Sequence, residues 1–161
     1  MEKFPYIVFN LKGKTMLSGH KNSCEATSFI KNHDEYLHNR LSLIKRAKKG
    51  VDAGNISLLY QYYNFKKNFI ADMLDLSTKT LDRYTSENRK LNPNDSELII
   101  KLILLYKKGI EVFSDQPSFL QWLNSPAYGL GKITPVDIIT TSDGIDLIIE
   151  ELNRIEFGDI S

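Results

Sequence analysis

The stretch KKNFIADMLDLSTKTLDRYT, from Lys66 to Thr85, decides the architecture. It reads as two short helical runs that meet near Asp75-Leu76-Ser77. A DNA-binding helix-turn-helix needs a small residue on its first helix so that the second packs close, an apolar residue in the turn, and another anchoring the second helix. Ala71, Leu76 and Leu81 stand at those relative positions. Ser77 then caps the second helix, because its hydroxyl can accept from the first free backbone N–H groups. Ser77, Thr78, Lys79, Thr80, Arg83 and Tyr84 become the candidate DNA-binding residues: Arg and Lys read guanine, and hydroxyls bond phosphate or base edges. Two residues depart from the pattern. Asp75 occupies a left-handed turn position usually given to glycine. Asp82 puts a carboxylate on the face that would approach phosphate, at a cost in affinity unless it accepts from cytosine or pairs with Lys79 or Arg83. A helical hairpin that merely packs would show the same spacing.

Outward from this element the chain predicts helices almost everywhere. Tyr36, Leu37, Leu41 and Ile44 have helical spacing, predicting a helix from about residue 34 to 49 that Gly50 stops. Ile56, Leu59 and Tyr63 predict another, with Asn55 or Ser57 as its cap. Residues 1–37 predict no more than one short strand or extended arm at Tyr6-Ile7-Val8-Phe9, ahead of a Lys12-Gly13-Lys14 turn. Downstream, Asn92-Pro93-Asn94-Asp95 is a helix start: Asn to cap, Pro at the first helical position, an acid in the positive first turn. Leu98, Ile99, Leu102, Ile103, Leu105 and Tyr106 then cover more circumference than one core face requires, so this helix is either central to the fold or meets a second copy. Ser114 is the expected cap of a short helix carrying Phe119, Leu120, Trp122 and Leu123. Thr134-Pro135-Val136-Asp137 begins another, and Ile145, Ile148, Ile149, Leu152 and Ile155 line one face of a last helix that Gly158 stops. Trp122, large and flanked by apolar residues, is expected at the centre of a small core.

Charge divides along the same line. Between His38 and Lys90 there are eleven Lys/Arg against five acids, a net +6, whereas from Gly109 onward nine acids face Lys132 and Arg154, a net −7, so the formal total of +1 conceals two opposed surfaces. A polyanion suits the first and a basic groove the second, although two unrelated solvated faces would give the same numbers.

The C-terminal part carries a more specific constellation: Val112-Phe113-Ser114, Trp122-Leu123, Ser125-Pro126, Leu130-Gly131, Thr134-Pro135-Val136-Asp137, Thr141, Gly144, and Leu152 through Ile155 to Gly158. In order and spacing it resembles the toxin-binding domain of Xre/MbcA/ParS-type antitoxins. With the helix-turn-helix and the helix after it, the resemblance covers about residues 56 to 158. It implies an all-α chain, a helix-turn-helix domain at 51–112, a small helical toxin-binding domain at 113–161, and an N-terminal extension at 1–50 of unassigned role. It also implies a partner: a RES-domain toxin that degrades NAD, whose active-site entrance the antitoxin covers. Homodimerisation and binding to the chain's own promoter DNA are implied as well. A cleft built for a dinucleotide is expected to be basic, and Asp146, Glu150, Glu151, Glu156 and Asp159 suit it by sign, with Phe157 and Ile160 as apolar anchors. The candidate toxin-binding residues are Glu150, Glu151, Arg154, Phe157, Asp159, Ile160 and Ser161.

Other classes find little support. Cys24 is the sole cysteine, which excludes an internal disulfide and a four-cysteine zinc site. His20, His33 and His38 have no metal-ligand spacing, and Gly129-Leu130-Gly131 follows no strand, as a phosphate loop would require. No catalytic residues, metal or cofactor are expected. With neither an apolar run of membrane length nor a basic-then-apolar leader, the expected location is the cytoplasm. The alternative to an antitoxin is a free-standing helix-turn-helix transcriptional regulator, which would use the acidic end for dimerisation or an effector.

Overall fold

The computed structural model describes residues 40–63 and 65–158. The strand expected near Tyr6, the first turns of the helix expected from residue 34, and the tail residues Asp159, Ile160 and Ser161 lie outside the described residues. Among the described residues the regular elements are all helical, as the sequence predicts, and the one antiparallel pairing is an isolated bridge between Asp52 and Lys90. Two compact units divide between Pro93 and Asn94. The long helix that the sequence reading placed ahead of a boundary at 112/113 therefore packs with the C-terminal unit.

In the N-terminal unit, α1 (Arg40–Lys49) buries Leu43 and Ala47. It ends at Gly50, whose φ of +78° and close approach to the Leu91 carbonyl oxygen, 2.9 Å from where a Cβ would sit, both call for glycine. A 3-10 turn (Ala53–Asn55) leads into α2 (Ile56–Tyr62). Neither expected cap works as such: Asn55 makes no side-chain cap, and the Ser57 hydroxyl donates to the Gly54 carbonyl at 2.6 Å. Next come α3 (Lys67–Met73) and α4 (Thr78–Ser86). The chain then returns to its own start. Ala53 N–H donates to the Arg89 carbonyl at 2.7 Å, Leu91 N–H to that of Val51 at 2.8 Å, and the Lys90 ammonium meets the Asp52 carboxylate at 3.3 Å. The fully buried side chains Ile56, Leu59, Ile70 and Leu81 form the interior beneath.

The C-terminal unit is built on α5 (Pro93–Phe113), which starts at the predicted proline. Every residue from Ile99 to Tyr106 is buried, a run longer than two turns, so no stripe of this helix is left for solvent. Of the two sequence alternatives, burial within the fold is the one observed. At Gly109 a Cβ would collide with the ring of Phe119, so the glycine lets α6 (Gln116–Leu123) approach. Phe119, fully buried, meets Tyr106 edge-on at 5.6 Å and lies 6.3 Å from both Phe113 and Trp122. This corrects one expectation: Phe119 is the centre of the aromatic cluster, and Trp122 is a half-buried ring on its edge. Ser114 is corrected too. Its φ is +65°, a left-handed link between α5 and α6, and the cap is Asp115, which accepts from Ser118 N–H at 2.8 Å.

After a 3-10 turn (Tyr128–Leu130) and the short α7 (Pro135–Ile138), the chain closes with α8 (Ser142–Phe157). Thr141 caps α8 by accepting from Gly144 N–H at 3.1 Å, and Gly158, at φ +73°, ends it where predicted. One polar cluster joins α5 to α8. The buried Lys101 ammonium lies 3.0 Å from Glu97, 2.6 Å from Asp146 and 2.7 Å from the Ser142 hydroxyl, which itself donates to Glu97 at 2.8 Å. All three ammonium donors have acceptors, as burial of that charge demands.

Candidate recognition surfaces

In the N-terminal unit, α3 and α4 meet through a turn at Leu74–Leu76 whose geometry follows the residues that signalled it. Asp75 holds φ +53°, the left-handed conformation its position requires, and Leu76 N–H donates to the Ala71 carbonyl at 2.9 Å. Ala71 is buried, letting α4 lie close, and Leu81 is fully buried as the anchor of that helix. Ser77 caps α4, accepting from Thr80 N–H at 3.1 Å. Ser77 and Thr80 also share a hydroxyl–hydroxyl bond of 2.9 Å, which sets both side chains at the helix start.

Of the remaining candidates, Thr78, Lys79 and Arg83 are exposed on α4 together with Asp82. Tyr84 is half-buried, with the Arg89 guanidinium 5.3 Å from its ring centre. Asp82 finds a partner that the sequence reading did not name. Its carboxylate accepts from Lys67 at 2.6 Å, across from the first turn of α3, and so leaves Lys79 and Arg83 without an ion-pair partner among the described residues. Asp82 also acts inward: burial pushes the Tyr60 hydroxyl up to about 12, and the Asp82 charge adds to the shift. The acid expected to oppose a polyanion is thus largely offset by a lysine of its own unit.

In the C-terminal unit, the acids assigned to α8 split into two kinds. Asp146 belongs to the Lys101 cluster, and Glu156 pairs with Lys108 at 2.5 Å. Glu151 is buried, contrary to its reading as an exposed contact. One carboxylate oxygen accepts from Gly129 N–H at 3.0 Å and the other from Arg154 at 2.7 Å, while Arg154 also donates to the Gly129 carbonyl at 3.3 Å. A side chain at position 129 would overlap the Glu151 carboxylate, so Gly129, Glu151 and Arg154 form a clamp holding the 3-10 turn against α8. Glu150 is exposed, with no ion pair among the described residues. Phe157 is 83% exposed at the end of the helix.

Large apolar side chains missing from the sequence-based candidates are exposed beside the clamp: Tyr128 at 73% and Leu147 at 48%. Leu147 was hidden in the run Ile145 to Ile149, where only helix phase separates the inward residues from the outward one. Among the described residues no group of three or more His, Cys, Asp or Glu could hold a metal ion, and no helix is long and apolar enough to cross a membrane.

A helical unit whose polar groups secure the scaffold while apolar rings stand out is organised for protein recognition. Comparison with known proteins gives that class a family: residues 108–158 match the antitoxin Xre/MbcA/ParS C-terminal toxin-binding domain. Similar proteins extend the likeness upstream. A "Prs ADP-ribosylating antitoxin" from Sphingobium sp. is 28% identical over 69% of this chain and 76% of its own length. An "Antitoxin Xre" from Photorhabdus laumondii is 23% identical over 70% of this chain and 77% of its own. Another from Yersinia enterocolitica is 22% identical over 72% and 79%. The C-terminal unit thus carries an Xre/MbcA/ParS-type toxin-binding domain, and the proteins similar over about 70% of the chain are themselves named antitoxins.

Proposed function

We propose that this chain is the cytoplasmic antitoxin of a type II toxin–antitoxin pair, a binding protein and not an enzyme, whose target is a RES-domain toxin that degrades NAD. In this reading the end of α8 and the tail, with Arg154, Phe157, Asp159, Ile160 and Ser161, cover the toxin's active-site entrance, and Glu150 lies at the rim, where it steers association more than it holds the complex. The observation that carries it is Phe157: a phenyl ring 83% exposed at the end of the span matched to a toxin-binding domain offers that partner an apolar anchor. The name of the Sphingobium relative adds support, because ADP-ribosylation consumes NAD and so points to a toxin cleft of the same chemistry. Deleting residues 157–161 in cells that also express the neighbouring toxin gene should restore NAD loss. Unchanged protection would remove the covering role of the tail.

The same reading makes α3 and α4 a helix-turn-helix through which a homodimer represses its own promoter. Exposed Thr78, Lys79 and Arg83 on a capped, anchored helix, with Asp82 held by Lys67, support it. Arg83→Ala should weaken binding to the upstream promoter by about 1–3 kcal/mol if it reads a base. An unchanged gel-shift midpoint would make the hairpin a packing element. The N-terminal unit, up to Pro93, is then the DNA-binding part, and the C-terminal unit, from Asn94 and including nearly all of α5, the toxin-binding part.

A further inference from the structure

Resting on the toxin-partner reading, we infer that the toxin is gripped by an apolar surface centred on Tyr128, Leu147 and Phe157, with the acids of α8 contributing little. Leu147, Glu150, Arg154 and Phe157 follow at three-, four- and three-residue intervals and therefore share one stripe of α8. The clamp brings the 3-10 turn to that stripe: Gly129 is bonded through both its N–H and its carbonyl to Glu151 and Arg154, so its chain neighbour Tyr128 stands beside it. The surface lies wholly within residues 108–158, the span matched to a toxin-binding domain, which identifies the occupant.

The charges point the same way. Of the acids in the described part of α8, Asp146, Glu151 and Glu156 are each held by a base of their own unit. Recruiting them to a partner's cation would first break these pairs, and Glu151 would leave a buried site to do so. Asp143 and Glu150 remain as rim charges, and rim charges alter association rate and salt dependence more than affinity. Exposed aromatic and aliphatic side chains around a fixed turn have the composition of an interface centre. The partner surface they fit is a nonpolar patch on the toxin beside its active-site entrance.

The test is titration of full-length protein with the purified, catalytically inactivated product of the adjacent toxin gene. Leu147→Asp and Tyr128→Ala should each weaken binding by at least about 30-fold. Glu150→Lys should change it by less than about 5-fold, and the wild-type Kd should rise less than about 5-fold from 50 mM to 0.5 M salt. Both apolar side chains are exposed, and an unchanged unfolding midpoint read from the Trp122 fluorescence confirms that the variants keep their fold. Wild-type binding together with undiminished binding by both apolar variants overturns the apolar surface. So does steep salt dependence combined with loss in Glu150→Lys. A wild-type protein that does not bind the toxin at all overturns the toxin-partner reading itself, and this inference with it.

Discussion

Replacing Gly109 by alanine sets two effects of similar size against each other, and the packing around Phe119 decides between them. Gly109 lies inside the 21-residue helix α5. Helix propensity alone favours alanine there by about 0.8–1.0 kcal/mol. Against this, the new Cβ would overlap three atoms of the Phe119 ring. That ring is fully buried, and moving it would disturb Tyr106, Phe113 and Trp122, whose centres lie 5.6–6.3 Å away. Overpacking of a well-filled core costs about 1–3 kcal/mol, and a ring held on several sides belongs in the upper half of that range. The net expectation for Gly109→Ala is a loss of about 1–2 kcal/mol. With a urea slope of about 2 kcal/mol per molar, the middle of the usual range, the midpoint should fall by about 0.5–1 M. Trp122, the sole tryptophan and a member of the same cluster, reports the transition by fluorescence. In a Phe119→Leu background the same substitution should become neutral or stabilising, giving a coupling of at least about 1 kcal/mol between the two sites. A higher midpoint for the single variant would refute the reasoning, because the ring would then have room to yield.

Lys101→Met should destabilise the C-terminal unit by about 1–3 kcal/mol in the same assay, below the full cost of breaking a buried pair because Glu97 and Asp146 are about a third exposed; a neutral result would mean that the apolar replacement compensates for the lost pairs. Ser114→Gly should stabilise by about 1 kcal/mol, because φ +65° is strained for serine and not for glycine; no gain would place the strain elsewhere. Alkaline pH should weaken the N-terminal unit. Burial pushes the Tyr60 and Tyr63 hydroxyls up to about 12, above the ordinary value of about 10 that they regain on unfolding. The neutral phenols therefore contribute their full stability below pH ~10 and lose it as pH rises towards ~12. Far-UV circular dichroism melts across that window should show the decline, and an identical decline in a Tyr60→Phe, Tyr63→Phe variant would assign it to other groups.

The helices and their ends were largely legible in the sequence, because the residues that mark them act locally. Pro93 starts α5, Ser77 and Thr141 cap α4 and α8, and Gly50 and Gly158 stop α1 and α8 by backbone conformations that their immediate neighbours determine. The turn at Asp75 was legible for the same reason. Pairings distant in sequence were not. Nothing in the spacing links Lys67 to Asp82, Lys101 to Asp146 or Gly129 to Glu151, because each depends on how whole helices pack. For the surface proposed to face the toxin, the missed information reversed the emphasis. Counting acids suggested an electrostatic contact, whereas their partners reveal a scaffold and leave the apolar residues outside. Phe157 was the member of that surface visible in advance, because it follows the last inward-facing position of α8.

The pairing of Val51–Ala53 with Arg89–Leu91 has a topological consequence. The segment between them leaves and rejoins the chain at one point, so its entry and exit are fixed side by side whatever its contour length. Residues can be gained or lost in its turns without altering the phase of the helices on either side. The exposed face of α4 lies within that closed excursion. Under the proposed DNA-binding role, operator preference could be redesigned there by grafting another segment, with the flanking helices and the toxin-binding domain carried over unchanged.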